Sequence, residues 1–197
     1  MKHCDRDFII QIRKILSSRK RRVIEQPPFS HAAVLVPLFR KGEDCHLLFT
    51  KRSHQVKYHK GEISFPGGVV DEEDSELERT ALREAFEEIG LKAEDVQIIG
   101  VLDDIVTITE FIVTPIVGLF PYPYPFKVSE VEIAELIEVP LTSLLGENCF
   151  SEREIIRGTQ KELVYAYQYE SHIIWGATAR ILKQFLDLIS AQRMIWT

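Results

Sequence analysis

Residues 67–91, GGVVDEEDSELERTALREAFEEIGL, constrain this chain more than any other stretch. Ala81, Leu82, Ala85 and Ile89 recur at helical spacing, and Gly90 supplies a stop. With Asp71, Glu72, Glu73 and Asp74 available as cap and first-turn acids, the pattern predicts a helix over 74–89. Acids suit the start of that helix, where the macrodipole is positive. Glu84, Glu87 and Glu88 fall instead in its last turns, where it is negative. Glu84 and Glu88 are i,i+4 and Glu84 and Glu87 are i,i+3, so they share one face and repel by about 0.2–0.5 kcal/mol per pair. Arg83 offsets part of this by reaching Glu87. Two readings stand: a solvated glutamate-rich face, or a site for a hard divalent cation, since Mg²⁺ and Mn²⁺ prefer carboxylate oxygen and water. Gly67 and Gly68 favour the second. Backbone without side chains lets a ligand come close, and a carbonyl at Gly67 adds an oxygen donor.

The rest of the chain supplies a frame for that helix. Residues 5–18 carry Phe8, Ile9, Ile12, Ile15 and Leu16 at helical spacing, and 19–31 read as a connector. Apolar runs at 32–39 and 45–50, separated by a charged Gly-containing turn, predict a β-hairpin. Residues 53–64 read as a basic loop leading into a short strand, and 65–68 as a turn. Beyond the helix, 96–102, 105–119 and 163–169 read as strands, 121–125 as a loop, and 175–189 as a closing helix. Residues 133–139 suit a strand or a helical turn equally. The order predicts an α+β fold, an αβα sandwich with a mixed sheet and a central acidic loop-helix.

Composition excludes some classes. With 197 residues, 45% hydrophobic and 27% charged, the chain is expected to be one globular domain with decorations. The longest uncharged stretch, 111–126, holds four prolines and is too short to span a bilayer. The N-terminus mixes charges into its apolar positions, unlike a secretory leader. Cys4, Cys45 and Cys149 form no CxxC pair and are expected to be free thiols in a reducing cytoplasm. The net charge of -6 hides a segregation. Residues 1–60 are net +9 and residues 71–94 net -7. This suits either a site that handles a polyanion with Lys, Arg and a bound cation, or solvated faces of unrelated elements. Nucleic acid is disfavoured, because the run Arg19-Lys20-Arg21-Arg22 is short and no nucleic-acid module accompanies it.

Arg83-Glu84-Ala85-Phe86-Glu87-Glu88-Ile89-Gly90 resembles the second half of the Nudix hydrolase signature at every fixed position. The first half departs from it: Asp74 stands where Glu is usual, and one extra residue separates it from Arg83. Upstream, Leu48-Phe49-Thr50-Lys51-Arg52-Ser53, then Lys57, Gly61 and Phe65-Pro66-Gly67-Gly68, resemble the added motif of the coenzyme A pyrophosphatase branch. Phe49 and Lys57 replace Leu and Arg there, and Lys gives up bidentate phosphate geometry. Ile174-Trp175-Gly176-Ala177-Thr178-Ala179-Arg180 also resembles that branch. The likeness divides the chain into an N-terminal helix and connector at 1–31, a Nudix domain at 32–190 and a tail at 191–197.

The resemblance implies Mg²⁺- or Mn²⁺-dependent hydrolysis of the diphosphate of CoA or acyl-CoA. It implies Glu84, Glu88 and Glu87 as metal ligands, with the Gly67 carbonyl, and Arg83 as the group that orients them. Arg52, Lys57, His59, Gly61 and Gly68 are the expected substrate-binding positions. Glu132 and Glu135, after the Pro/Tyr loop, are candidate general bases or surface acids. Tyr122 and Tyr124 are candidate stacking groups for adenine or simply packing. The expected partner is a small nucleotide, with no nucleic acid and no membrane, and with a homodimer left open. The alternatives are hydrolysis of other nucleotides, such as nucleoside triphosphates or ADP-ribose, and a non-catalytic nucleotide-binding module. The last should have lost helix carboxylates, and all three are present.

Overall fold

The computed structural model describes residues 4–25, 28–146, 148–157 and 160–191. The expected tail at 191–197 lies, beyond residue 191, outside the described residues. Strands β1 (Ser30–Lys41) and β2 (Asp44–Arg52) form the expected hairpin, paired antiparallel from Leu38↔Leu47 to Lys41↔Asp44. β1 also runs parallel to β7 (Phe111–Leu119), from Ser30↔Phe111 to Leu38↔Leu119, which makes the sheet mixed. β5 (Gln97–Val101) extends the β7 edge, and β8 (Ile133–Pro140) pairs with β2. The short strands β3 (Ile63–Ser64), β4 (Gly67–Val69) and β6 (Ile105–Val106) pair with β2, β1 and β7.

Both faces of this sheet are covered, which explains the nearly continuous apolar runs of β1, β2 and β7. On one face Ala33, Leu35, Phe39, Leu48 and Ile116 pack against Ala81, Ala85 and Ile89 of α2 (Leu77–Ile89). On the other, Val36, Leu38, Leu47, Phe49 and Val117 meet α1 (Arg6–Ser18) and α4 (Gly176–Ser190) through Phe8, Ile12, Leu16, Leu182 and Phe185. Three layers result, the expected αβα sandwich. Phe8, Ile12 and Leu16 of α1 join the buried cluster on the α4 face of the sheet.

Several local expectations need correction. The 65–68 turn continues as β4, because Gly67 and Gly68 pair with Val34 and Ala33. The 105–119 strand breaks at a turn, where Glu110 takes a positive φ and Thr107 bonds back to Phe111. The undecided 133–139 segment is strand β8, followed by one helical turn, α3 (Leu141–Leu144). β9 (Phe150–Arg157), unanticipated, joins β10 (Gln160–Tyr169) and β11 (His172–Trp175) in a second, three-stranded sheet.

Two cations of the basic connector are engaged inside the fold. Arg19 pairs with Asp103, and Arg21 pairs with the buried Asp104, which also accepts from Thr114 at 2.6 Å. These cations bind the chain to itself and are not offered to a polyanion. The cysteines also depart from expectation: Cys4 and Cys45 form a disulfide, and Cys149 is free. The Cys4 amide donates to the Glu43 carbonyl at 2.7 Å, which lays the chain start along the β1–β2 turn. A pairing across 41 residues leaves no local sequence signal.

Closing a loop of that length stabilises a fold by about 2–4 kcal/mol. Reduction should therefore lower the melting temperature of the wild type. The Cys4→Ala/Cys45→Ala double variant should melt at one temperature with or without dithiothreitol. Paired calorimetric scans check this, and a wild-type melt that ignores the reductant would contradict it.

Candidate active site

Helix α2 begins at Leu77, three residues later than the sequence suggests. Its N-cap Glu76 makes no side-chain cap bond. Asp74, expected as a cap, is used elsewhere. Its carboxylate accepts from Arg83 Nη2 at 3.0 Å, from Thr80 Oγ1 at 2.9 Å and from the Asp71 amide at 3.1 Å. The Arg83 hydrogen bond is the main force holding this buried carboxyl down at about pKa 2. Arg83 in turn donates through Nη1 to Glu84 at 2.9 Å and Glu87 at 3.4 Å, and through Nη2 to the Val69 carbonyl at 3.1 Å. The bond to Asp74 raises its own pKa further.

The three late glutamates occupy different environments. Glu87 is exposed and reaches only Arg83. Glu84 is partly buried, and burial raises its pKa. Glu88 lies on the inward stripe with Ala81, Ala85 and Ile89 and is 2% exposed. Burial pushes Glu88 up to about pKa 8, opposed first by Arg52 and reinforced by Glu84 and Glu132. Arg52 Nη1 stands 3.6 Å from Glu88 Oε1, and the Gly67 amide also donates to this carboxylate. Glu88 Oε2 is buried with no hydrogen-bond partner. An orphaned buried carboxylate oxygen is costly and asks for a cation or proton.

The two glycines are required by close approach. A Cβ on Gly68 would lie 2.4 Å from Glu84 Oε1, and one on Gly67 would lie 2.4 Å from the Ala33 carbonyl. Strand β4 thus presses its backbone against the α2 carboxylates. The far end of α2 is closed by Gly90 in the left-handed region, φ 70°, whose amide bonds to Phe86. The chain after β7 then straps over this end. The amides of Lys127 and Ser129 bond the Ile89 and Glu88 carbonyls at 3.0 and 2.8 Å. These satisfy helix-end acceptors and deliver Glu132 to the cluster.

Glu132 is half-buried there, and its charge raises both Glu84 and Glu88. Glu135 is exposed and engaged elsewhere, at 3.4 Å from Lys51 and 3.6 Å from His172. An irregularity in the β2–β8 pairing at Lys51/Arg52 separates the two cations, Lys51 toward Glu135 and Arg52 toward Glu88. Tyr122 stacks on Phe39 at 4.8 Å, and Tyr124 donates to Asp95 at 2.8 Å, so both serve packing. Lys57 is exposed, with Nζ 5.1 Å over the Tyr58 ring. His59 bonds Glu62 at 2.9 Å. Gly61, φ 71°, closes the loop by donating to the Arg52 carbonyl. Among the described residues no three potential metal ligands form a ready-made cage. Glu84 and Glu88 are instead turned to Arg83 and Arg52.

A cleft of about 470 Å³ opens beside the cluster, and Arg52 and Gly67 line both. Its walls include Phe111, Leu163, Tyr165 and Trp175. Sequence reasoning missed Asp74 as the partner of Arg83, and it missed this cleft. Its traces in the sequence were Phe65, Trp175 and Gly176, which stand in the two segments that resemble the branch motif.

The NUDIX domain model matches residues 29–144. The chain is 40% identical over 159 residues to an uncharacterized Nudix hydrolase NudL of Photorhabdus laumondii, covering 81% of this chain and 84% of that one. It is 41% identical over 160 residues to the Yersinia enterocolitica protein of that name, covering 81% and 82%. A Nudix hydrolase of M. smegmatis, RenU, shares the fold with TM-score 0.50 and 22% identity, over 58% of this chain and 73% of that one. Among the described residues no helix is long and apolar enough to cross a membrane.

Glu88 makes metal-free stability depend on pH. Its folded pKa of about 8 lies above the ordinary 4.5, so the folded state holds this proton more tightly. The stabilisation is fully present below pH 4.5 and is lost as pH rises through about 8. Urea melts in chelator should show wild-type stability falling across this window more than that of Glu88→Gln. Parallel curves for the two proteins would contradict the assignment.

Proposed function

The chain belongs to the Nudix hydrolases, and from that premise we propose that it splits the diphosphate of coenzyme A or an acyl-CoA. The products are adenosine 3′,5′-bisphosphate and 4′-phosphopantetheine or its acyl thioester. One observation carries the reading. The segment from Leu48 to Gly68 brings a cation, Arg52, and a side-chain-free backbone, Gly67-Gly68, onto the same two carboxylates, Glu84 and Glu88. The segment that resembles the CoA branch is therefore built into the site.

The residues fit a hard divalent cation, Mg²⁺ or Mn²⁺. The donors are all oxygen, Glu88 Oε2 is buried and unpartnered, and Glu84 lies against the bare Gly68 backbone. We assign Glu84 and Glu88 as principal ligands, with Glu87 and the Gly67 carbonyl joining them. When bound, such an ion neutralises diphosphate oxygens and makes a water more acidic. Arg83 fixes the carboxylates from behind. Arg52 faces both Glu88 and the cleft, which suits a donor to phosphate oxygens. Glu132, close enough to perturb Glu84 and Glu88, is the better placed base, because Glu135 is tied to Lys51 and His172. Water attacks one phosphorus, its proton passes to Glu132, and the bridging oxygen leaves with the other phosphate. His59 lines the cleft, whereas exposed Lys57 stands apart and suits a more distant group, the 3′-phosphate.

A panel of CoA, ADP-ribose and nucleoside triphosphates with Mg²⁺ or Mn²⁺, products identified by mass, tests the reading. CoA should be cleaved only with metal, and EDTA should abolish turnover. Intact CoA beside efficient cleavage of the other nucleotides would replace it. Glu88→Gln should lower kcat by about 10²-fold or more. A Glu88→Gln enzyme that turns over normally would remove this residue from the site.

The two cations should separate in kinetics. Lys57→Gln should raise KM for CoA more than for 3′-dephospho-CoA. Arg52→Gln should weaken both substrates alike. Equal effects of Lys57→Gln on the two would move Lys57 to the diphosphate.

A further inference from the structure

We propose that the apolar cleft beside the glutamates seats the acyl-pantetheine arm, so that long-chain acyl-CoA thioesters are cleaved in preference to free CoA. This rests on the CoA reading above and deepens it.

Position is the first argument. Gly67 and Arg52 line the cleft and also touch the carboxylate cluster. A diphosphate held at Glu84 and Glu88 therefore has the cleft directly beside it. One of its two arms must enter the cleft or turn away.

Chemistry selects the arm. One wall is Ile63, Phe65, Phe111 and Val113 of the main sheet. The facing wall is Leu163, Tyr165, Trp175 and Ile181, from the three-stranded sheet and α4. The charged lining groups are already partnered, Arg52 with Glu88. His59 and Glu62 answer each other, and Arg180 is held by the Val106 carbonyl at 2.7 Å. A ribose or a further phosphate would lose water here and find few partners. A thioesterified pantetheine ending in a hydrocarbon has only its amides, a hydroxyl and a thioester carbonyl to desolvate along an otherwise apolar chain.

Exposure points the same way. Ile108, Leu163 and Trp175 are 61%, 47% and 48% exposed, and all three line this one cleft. Large apolar side chains gathered at a concave mouth mark a ligand surface. The volume of about 470 Å³ is that of a small-molecule site. Leu163, Tyr165, Trp175 and Ile181 lie beyond residues 29–144, so this wall is an addition to the part that the domain model covers.

The test is a series of kcat/KM values for CoA, acetyl-, hexanoyl- and dodecanoyl-CoA with Mg²⁺, products identified by mass. Each added methylene that enters the cleft should raise the value by up to about fourfold until the cleft is full. At least about tenfold should separate dodecanoyl- from acetyl-CoA. Leu163→Asp and Ile108→Asp should each collapse the ratio of dodecanoyl- to acetyl-CoA toward one, while Trp175→Phe should keep it. A flat wild-type series with CoA itself well cleaved overturns the cleft assignment and leaves the CoA reading standing. A preserved slope in both Asp variants also overturns it. Cleavage of no CoA species, beside turnover of another nucleotide, overturns both. Should either Asp variant fail to fold, the wild-type series still decides.

Discussion

The Arg83 guanidinium makes a glutamate-rich helix end compatible with a folded protein. It donates at once to Asp74, Glu84, Glu87 and the Val69 carbonyl, and so ties the loop before α2 to the last turns of α2. Asp74 is kept ionised by that bond, which makes it a firm anchor on the far side. The consequence is geometric. Strand β4 cannot drift from the helix, and the Gly67-Gly68 backbone stays against Glu84 and Glu88. Arg83 relieves repulsion only for Glu84 and Glu87. Glu88, on the inward stripe, is left to Arg52 and a single backbone amide, with one oxygen unpartnered. That residual imbalance leaves a carboxyl that the protein has desolvated and only partly paired, and burial answers it by raising its pKa.

What the sequence makes legible follows from the range of the interactions involved. The helix and its misplaced acids are visible because 3.6-residue periodicity and i,i+4 repulsion are local. Three layers are visible because strands apolar on both faces need cover on both. Which glutamate is buried is not local. It depends on the rotation of α2 against Ala33, Leu35 and Ile116, set by a parallel β1–β7 pairing across some eighty residues. The same reason hides the Arg52–Glu88 contact, and it hides Asp74 as a partner for Arg83 in place of a helix cap. Glu132 and Glu135, three residues apart, were equivalent on the page. An irregular strand pairing sends one to the cluster and the other to Lys51 and His172.

Part of the N-terminal excess of charge is used inside the fold. The excess of Lys and Arg in residues 1–60 suggests an anion site, yet Arg19 and Arg21 are drawn into Asp103 and Asp104 beside β5 and β6. Buried and half-buried ion pairs of this kind serve position. They hold the connector across the sheet edge, so that α1 can complete the core beneath α4. Arg52, near the glycine turn, is instead paired with Glu88 at 3.6 Å and faces the cleft. The disulfide belongs to the same device: it fixes the start of α1 to the β1–β2 hairpin, while the arginines fix its end.

This anchoring bears on specificity. The carboxylates, the glycine turn and Glu132 sit on α2 and the segments strapped to it. The apolar lining of the cleft comes partly from the three-stranded sheet and α4, and partly from the main sheet and the turn that bears Ile108. The carboxylate cluster and the former part of the lining thus rest on different layers, joined where Arg52 and Gly67 touch both. A change of wall at Leu163 or Ile108 alters what is bound without moving a carboxylate, whereas a change at Arg52 or Gly67 disturbs both. Selectivity in such an arrangement is set by apolar contact area. The lining can therefore be altered by substituting side chains around a fixed carboxylate cluster, provided that the Arg83 clamp remains intact.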